Sequence, residues 1–385
     1  MISEKLSGTR ASLCLDFIRG SAALAVLCGH IRGLMFVDSH KIKNGLTSML
    51  RAIYFMTSLG HQAVMIFFVL SGFLVSSSVI KARAGGCWSW RWYLTNRLTR
   101  LYIVLLPALL LGGAFDRMGL HFFGSGGIYG GHAGNSVIYF AVARRLGIKE
   151  FCGNLFFLQT IVVPTMGSNG ALWSLANEFW YYLIFAFVSA AIYEKRAGAS
   201  GFSLFCALFS AYFCGRQIML YFLIWLMGVA LNFFPLGIRK RGILTLVSAG
   251  IFLMSLLVAK ANILSGWWSD FTVGLATTVF IFTLLQHRNP IGKNGFSKSV
   301  HILSSISYTV YLVHLPFVVF LASFMLSKYD TRWQPDIVHL SYGVGVVTLA
   351  VGYSWILASF TEARTSKARE ILSYMLDCLL SPAVA

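Results

Sequence analysis

Arg19 and His30 lie inside the first long apolar stretch of the chain, LDFIRGSAALAVLCGHIRG. A positive charge in a membrane helix costs about 2.5–3.5 kcal/mol on insertion scales, so an ionisable residue there marks a functional site. The two are eleven positions apart, which on a helix is three turns plus about 20°, with a rise of roughly 16 Å. Both side chains therefore share one helix face, about half a bilayer apart. That arrangement suits a channel between the membrane surface and a buried reaction centre. Imidazole is the usual general base near neutral pH, and burial keeps it neutral and able to accept a proton. A histidine in an apolar helix also has an ordinary structural use, packed with its ring bonded to a backbone carbonyl. Asp16 stands one turn before Arg19, and an i,i+3 pair lowers the cost of burying both.

Further along the chain, three segments carry similar chemistry. In LWSLANEFWYYL, Glu178 lies within an aromatic helix. A lone carboxylate there tends to protonate unless paired, so it is placed either to orient His30 or bind a substrate hydroxyl, or to cap its own helix turn. In RWYLTNRLTRLYIVLLP, Arg97 and Arg100 share a helix face. Two guanidiniums so placed can grip a phosphate bidentately, or can snorkel to the head groups. In ISYTVYLVHLPFV, Tyr308, Tyr311 and His314 recur at three-residue spacing, on a slowly drifting face that lines either a polar cavity or an aromatic packing surface. Pro316 removes a helix donor there and frees a carbonyl. Ser71-Gly72 in FFVLSGFLV is a small-residue point where a helix or ligand can approach closely.

The elements that must hold these residues are transmembrane. The chain is 57% hydrophobic and 11% charged, with mean hydropathy +0.73, whereas a soluble domain carries about 25% charge. Its net charge of +18 does not indicate nucleic acid, because the basic residues fall in short clusters between apolar spans. That is the positive-inside pattern, which also favours anionic lipid head groups. Apolar spans are expected near 12–34, 59–80, 98–115, 172–193, 202–214, 217–234, 243–259, 267–286, 302–327 and 338–360. A short apolar piece at 151–164 reads as re-entrant or interfacial. The clusters at 97–100, 195–196 and 239–241 put both termini in the cytoplasm, Arg19 in the inner half of the membrane and His30 near the outer side. No cleavable signal peptide is expected, since the first apolar run contains Asp16 and Arg19. The seven cysteines form no C-x-x-C pair and read as free thiols, with no metal expected.

Taken in order, these motifs resemble the membrane-bound acyltransferase-3 family, whose members O-acylate sugars and other hydroxyls. The resemblance rests on R-x10-H (Arg19 to His30), FFVLSGF, R-x-x-R (Arg97, Arg100), LWSLANE (Glu178) and SYTVYLVH (Ser307 to His314), with TEARTSKAR after the last span as a weakened closing motif. It implies an all-α polytopic protein of about ten transmembrane helices around a central cavity. The domain would span 1–370, with a short tail at 371–385. It also implies acyl-coenzyme A as donor, acetyl-CoA by default, and as acceptor a hydroxyl of a surface glycan or lipid-linked sugar reached within the membrane, in a bacterial inner membrane. Carried onto this chain, His30, Arg19 and Glu178 are the expected catalytic residues and Arg97 and Arg100 the coenzyme A contacts. Asp16, Ser71, Tyr311 and His314 are the expected substrate-binding residues. The rival reading is a transporter or channel with buried Arg, His and Glu along its path. No internal repeat is visible to favour it. A second rival is a catalytically inactive binding member of the same fold. The orientation has a direct check. Arg241→Cys, in a chain otherwise freed of cysteine, should react with an impermeant maleimide only from the cytoplasmic side. Labelling in intact cells would invert the arrangement.

Overall fold

The computed structural model describes residues 8–43, 45–132, 134–235, 237, 241–292, 294–327 and 332–380. Arg239 and Lys240, used above for orientation, lie outside them. The described chain forms helices α1 (Arg10–Met35), α2 (Ser48–Thr57), α3 (Gly60–Ala84), α4 (Trp90–Phe123), α5 (Gly127–Gly130), α6 (Ile148–Leu155), α7 (Trp173–Tyr193), α8 (Ala197–Ala230), α9 (Arg241–Lys260), α10 (Trp267–Leu284), α11 (Gly295–Leu326), α12 (Ile337–Phe360) and α13 (Thr365–Leu380). Among the described residues, eight of these are long and apolar enough to cross a membrane: α1, α3, α4, α7, α8, α9, α11 and α12. The molecule is an all-α polytopic membrane protein. Several starts carry side-chain caps. Thr9, Ser89 and Asp336 accept from the backbone N–H of Ser12, Trp92 and His339, and Asn294 forms a capping box with Ser297. Each satisfies a donor that the helix leaves unpaired at its first turn.

The ten apolar stretches read from the sequence all fall on helices, two of them on α8. That helix is broken at Gly215, whose φ of 75° and ψ of 173° favour glycine. Contacts along α7 show that the chain reverses there. Ser200 Oγ donates to Ala191 O (2.8 Å), and Phe213 meets Trp180 (5.2 Å between centroids). Beyond the break Tyr181 OH donates to Ile218 O (2.8 Å), and Trp225 packs on Phe185 (5.3 Å). The second arm crosses α3 at two glycines. A Cβ on Gly72 would lie 2.0 Å from Trp225 O, and one on Gly228 2.0 Å from Val69 O. Ser71-Gly72 is therefore a point of backbone contact, the small-residue packing that membrane helices use. The expected boundary at 370/371 lies inside α13, which is tied to the start of α4 by Arg91 and Asp377 (2.7 Å).

Around the centre, α1 packs on α11 and α3, and α11 on α4. The segment between α4 and α7 folds over this group. Polar side chains hold it. Ser168 donates from N and Oγ to Asp116 of α4 (2.7 Å each), and Asn154 bonds to Glu150 O, Pro164 O and Met166 N. The 151–164 piece is α6 followed by a tight turn, with Phe157 and Thr160 at positive φ. Its closing link is to Pro316. Proline has no N–H, so the i−4 carbonyl, Leu312 O, loses its helical donor. Asn169 Nδ2 supplies one at 2.8 Å. Asn169→Leu should therefore leave a buried carbonyl unpaired and cost about 1–3 kcal/mol of stability. In a Pro316→Ala background the restored N–H should satisfy that carbonyl and make the same substitution cheaper. Thermal unfolding of the four proteins in detergent checks this, and equal costs in both backgrounds would refute the link.

Candidate active site

Two chambers open among the central helices, and the residues singled out by sequence divide between them. The inner one, about 200 Å³, is lined by Arg19, Arg97, Arg100, Ser71, Glu178 and Tyr311, among apolar walls from α3 and α7. The outer one, about 550 Å³, is lined by His30, Arg32, His61, Arg145, Trp173 and Tyr311, with hydroxyls from Ser58, Ser136, Thr160 and Thr165. Val64 and Tyr311 line both. The Tyr311 hydroxyl bonds to Ser174 Oγ (2.7 Å), and its ring meets Phe67 edge-on (5.6 Å).

In the inner chamber each guanidinium has a defined setting. Arg19 donates through Nε and Nη2 to Ser304 Oγ of α11 (2.9 and 2.6 Å) and through Nη2 to Asp16 Oδ1 (3.1 Å). Ser304 Oγ in turn donates to Asp16 Oδ1 (2.8 Å). Asp16 thus holds Arg19. It does not line the chamber. Arg97 Nη2 donates to Ser78 Oγ (2.5 Å), and its Nε is buried with no partner among the described residues. Arg97 faces the rings of Tyr93 and Tyr182, and Arg100 that of Tyr308, each at 5.7 Å, within cation–π range. Neither arginine is snorkelled to the surface. Both border the chamber. Glu178 Oε1 accepts from Ser71 Oγ (2.8 Å) and from the Tyr182 hydroxyl. Trp225 Nε1 donates to the same Ser71 oxygen (3.2 Å). Glu178 is therefore set into the inner chamber and makes no hydrogen bond to His30.

His30 has another partner. Its Nδ1 lies 2.7 Å from Nε2 of His314, and the rings are nearly parallel with centroids 5.0 Å apart. His314, wholly buried, places its own Nδ1 2.7 Å from Val310 O. The carbonyl can only accept, so His314 Nδ1 carries a proton there. Neutral His314 then has an accepting Nε2, and His30 Nδ1 must be the donor to it. That leaves the lone pair of neutral His30 on Nε2. This tautomer assignment follows from the network alone. The result is a base whose ring is fixed by a second group, itself fixed by a backbone carbonyl, the layout used to activate nucleophiles.

Sequence reasoning paired none of these across the chain. It put His314 among cavity-lining residues, and it gave little weight to the closing motif. In that motif Glu362 accepts from Thr309 N and Oγ1 (3.3 and 3.0 Å) and is the carboxylate that acts most strongly on Arg100. Ser304, Asn169, Arg32 and Arg145 carried no signal at all. Among the described residues no group of three or more His, Cys, Asp or Glu side chains is placed to hold a metal ion.

With this geometry in place, comparison with known proteins gives one positive result. The acyltransferase-3 family model, described as an acyltransferase domain, matches residues 12–359. No curated protein and no solved structure matches the chain.

Proposed function

The chain belongs to the acyltransferase-3 family and is a membrane acyltransferase, and from that premise we propose that it moves an acetyl group from acetyl-coenzyme A in the inner chamber to a hydroxyl of a glycan or lipid-linked sugar in the outer one. The observation that carries this reading is the division of the site. Three arginines line one chamber, His30 lines the other, and the two share Tyr311. The donor is a substrate whose phosphates suit guanidiniums and whose acyl arm suits apolar walls. The inner chamber, about 200 Å³, is below the usual size of a small-molecule pocket. It takes the acyl arm, with the phosphates at Arg97 and Arg100 on its border and the rest of the nucleotide beyond them toward the cytoplasmic surface. Both termini are cytoplasmic in this reading, the membrane is the bacterial inner membrane, and lipid head groups surround the basic clusters.

In the reaction, His30 Nε2 takes the proton of the acceptor hydroxyl as its oxygen attacks the thioester carbonyl. The new C–O bond forms, the C–S bond breaks, and the coenzyme A thiolate leaves with that proton. Arg19 lies roughly 16 Å along α1 from His30. At that separation it can hold the donor but does not reach the developing oxyanion. The hydroxyl at the junction of the chambers belongs to Tyr311, which is placed to donate to the developing oxyanion. Glu178, fixed by Ser71 and Tyr182, orients the donor arm. His314 is a positioning residue that sets the tautomer of His30.

Three sets of variants test this. His30→Ala should abolish transfer while membrane levels stay near normal. His314→Leu should lower kcat by about 10²–10⁴, the usual worth of general acid–base assistance. It should also shift the pH profile, with His314→Gln, which keeps an acceptor for His30 Nδ1, partly restoring both. A purely structural His314 would leave the profile of the residual activity unmoved. Arg97→Lys and Arg100→Lys keep the charge and lose the planar fork, so each should weaken acetyl-coenzyme A by roughly 10- to 150-fold, about 1.5–3 kcal/mol. Acetyl-pantetheine, which lacks the nucleotide, should be affected less. Equal shifts for the two donors would remove the phosphate assignment.

A further inference from the structure

The outer chamber has a charge pattern that acyl transfer to a neutral hydroxyl does not require. Arg32 and Arg145 both line it, and no Asp or Glu is among its lining residues. Arg32 sits in the last turn of α1, two residues beyond His30. Its guanidinium lies 5.3 Å from the Tyr54 ring centre, and its Nε is buried with no partner among the described residues. Asp38, the carboxylate whose charge reaches Arg32, is already committed. Arg332 grips it through both nitrogens (3.3 and 2.6 Å), which holds its carboxyl below the usual carboxylate range. Arg145 stacks over Phe140, with Cζ 3.3 Å from the ring centre, and its one side-chain bond among the described residues is a long 3.5 Å contact to Thr165 Oγ1. Stacking occupies the face of a guanidinium and leaves the N–H groups of its edge for a ligand in the plane.

Both guanidiniums border one cavity. Holding them without a carboxylate is costly unless an anion enters. Planar forks are also the groups that recognise phosphate and carboxylate bidentately. We propose that the outer chamber takes an acceptor bearing an anionic group, a phosphate or a carboxylate, that Arg32 and Arg145 bind while a neighbouring hydroxyl is presented to His30. The inference rests on the reading that the outer chamber receives the acceptor, and it narrows that acceptor to acidic or phosphorylated species. Trp173, on the same lining and stacked at 6.1 Å on His61, offers the flat apolar face that a sugar ring or similar body covers.

Saturation-transfer NMR on the purified full-length protein in neutral detergent tests it, with methyl glucoside, methyl glucuronide and glucose 1-phosphate as probes. One or both anions should bind at least about tenfold more tightly than methyl glucoside, and added salt should weaken them. The preferred anion tells a carboxylated acceptor from a phosphorylated one. Arg32→Gln and Arg145→Gln should each weaken the anion by about tenfold or more. Arg145, the less deeply buried member of the pair, keeps the test open if Arg32→Gln does not fold. Arg97→Gln, in the inner chamber, should leave anion binding intact. Equal binding of the neutral probe, no binding of any probe, or anion binding unchanged in both outer variants would overturn the proposal. Loss confined to Arg97→Gln would do so too, by placing the anion in the inner chamber. His30→Ala separates the two ideas. A variant that still transfers would end the catalytic reading, whereas anion binding by it speaks only to the arginines.

Discussion

Guanidiniums within an apolar bundle exist only where protein oxygen or aromatic faces replace water, and that constraint organises the centre of this molecule. Arg19 has a carboxylate three residues away and a serine 285 positions further on, closed into a triangle in which Ser304 also donates to Asp16. The triangle joins α1 to α11, the helices that also carry His30 and His314. Fixing Arg19 therefore fixes the mutual height of the two histidines, one α1 segment away. Arg97 and Arg100 are contained differently, by Ser78, by tyrosine faces and by the field of Glu362. Arg97 Nε is left without a partner among the described residues. Charges held with spare hydrogen-bonding capacity are suited to an anionic substrate in a way that fully paired ones are not.

The same economy of donors runs through the outer half. Pro316 takes a donor away from α11, and Asn169 returns one from the covering segment. The proline also packs where Gly112 of α4 leaves room, its Cγ 3.1 Å from where a Cβ would be. One residue thus bends no rule of backbone satisfaction while coupling a helix, its neighbour and the loop that roofs the outer chamber. His314 lies two residues before that proline, and its Nδ1 is bonded to Val310 O. The position of His314, and of His30 bonded to it, is consequently tied to the attachment of the loop that roofs the outer chamber.

How much of this was legible in the sequence depends on the range of each interaction. The Asp16–Arg19 pair was readable because i,i+3 on a helix is a short-range fact. The cavity face of Arg97 and Arg100 was half-readable. Their spacing put them on one side, but only the packing of α3 and α7 distinguishes a chamber from the lipid surface. Ser71-Gly72 announced a close approach without naming its partner, the backbone of Trp225. The two arms of α8 were readable as two short spans, since Gly215 interrupts an otherwise continuous apolar run. His30 and His314 were each noticed, yet 284 positions separate them, and nothing local records that they share a proton. Glu178 illustrates the opposite error of range. It was considered as a partner for His30, whereas its hydroxyl partners are Tyr182, one turn along its own helix, and Ser71 on α3.

The division into two chambers bears on the choice between transfer and transport. A transport path needs polar groups distributed along its length so that a solvated substrate or proton always has a partner. Here the shared lining is Val64 and Tyr311, one apolar and one with its hydroxyl bonded to Ser174. Such a junction passes a single bond-making event between compartments more readily than a solute. In the proposed reading it also shields a thioester in the inner chamber from water in the outer one, which matters because hydrolysis is the competing fate of an activated acyl group. The asymmetry of charge completes the argument. Glu178 lines the inner chamber, while no Asp or Glu is among the lining residues of the outer one. That difference in lining suits the proposed division between a donor and an acceptor better than two positions of one molecule.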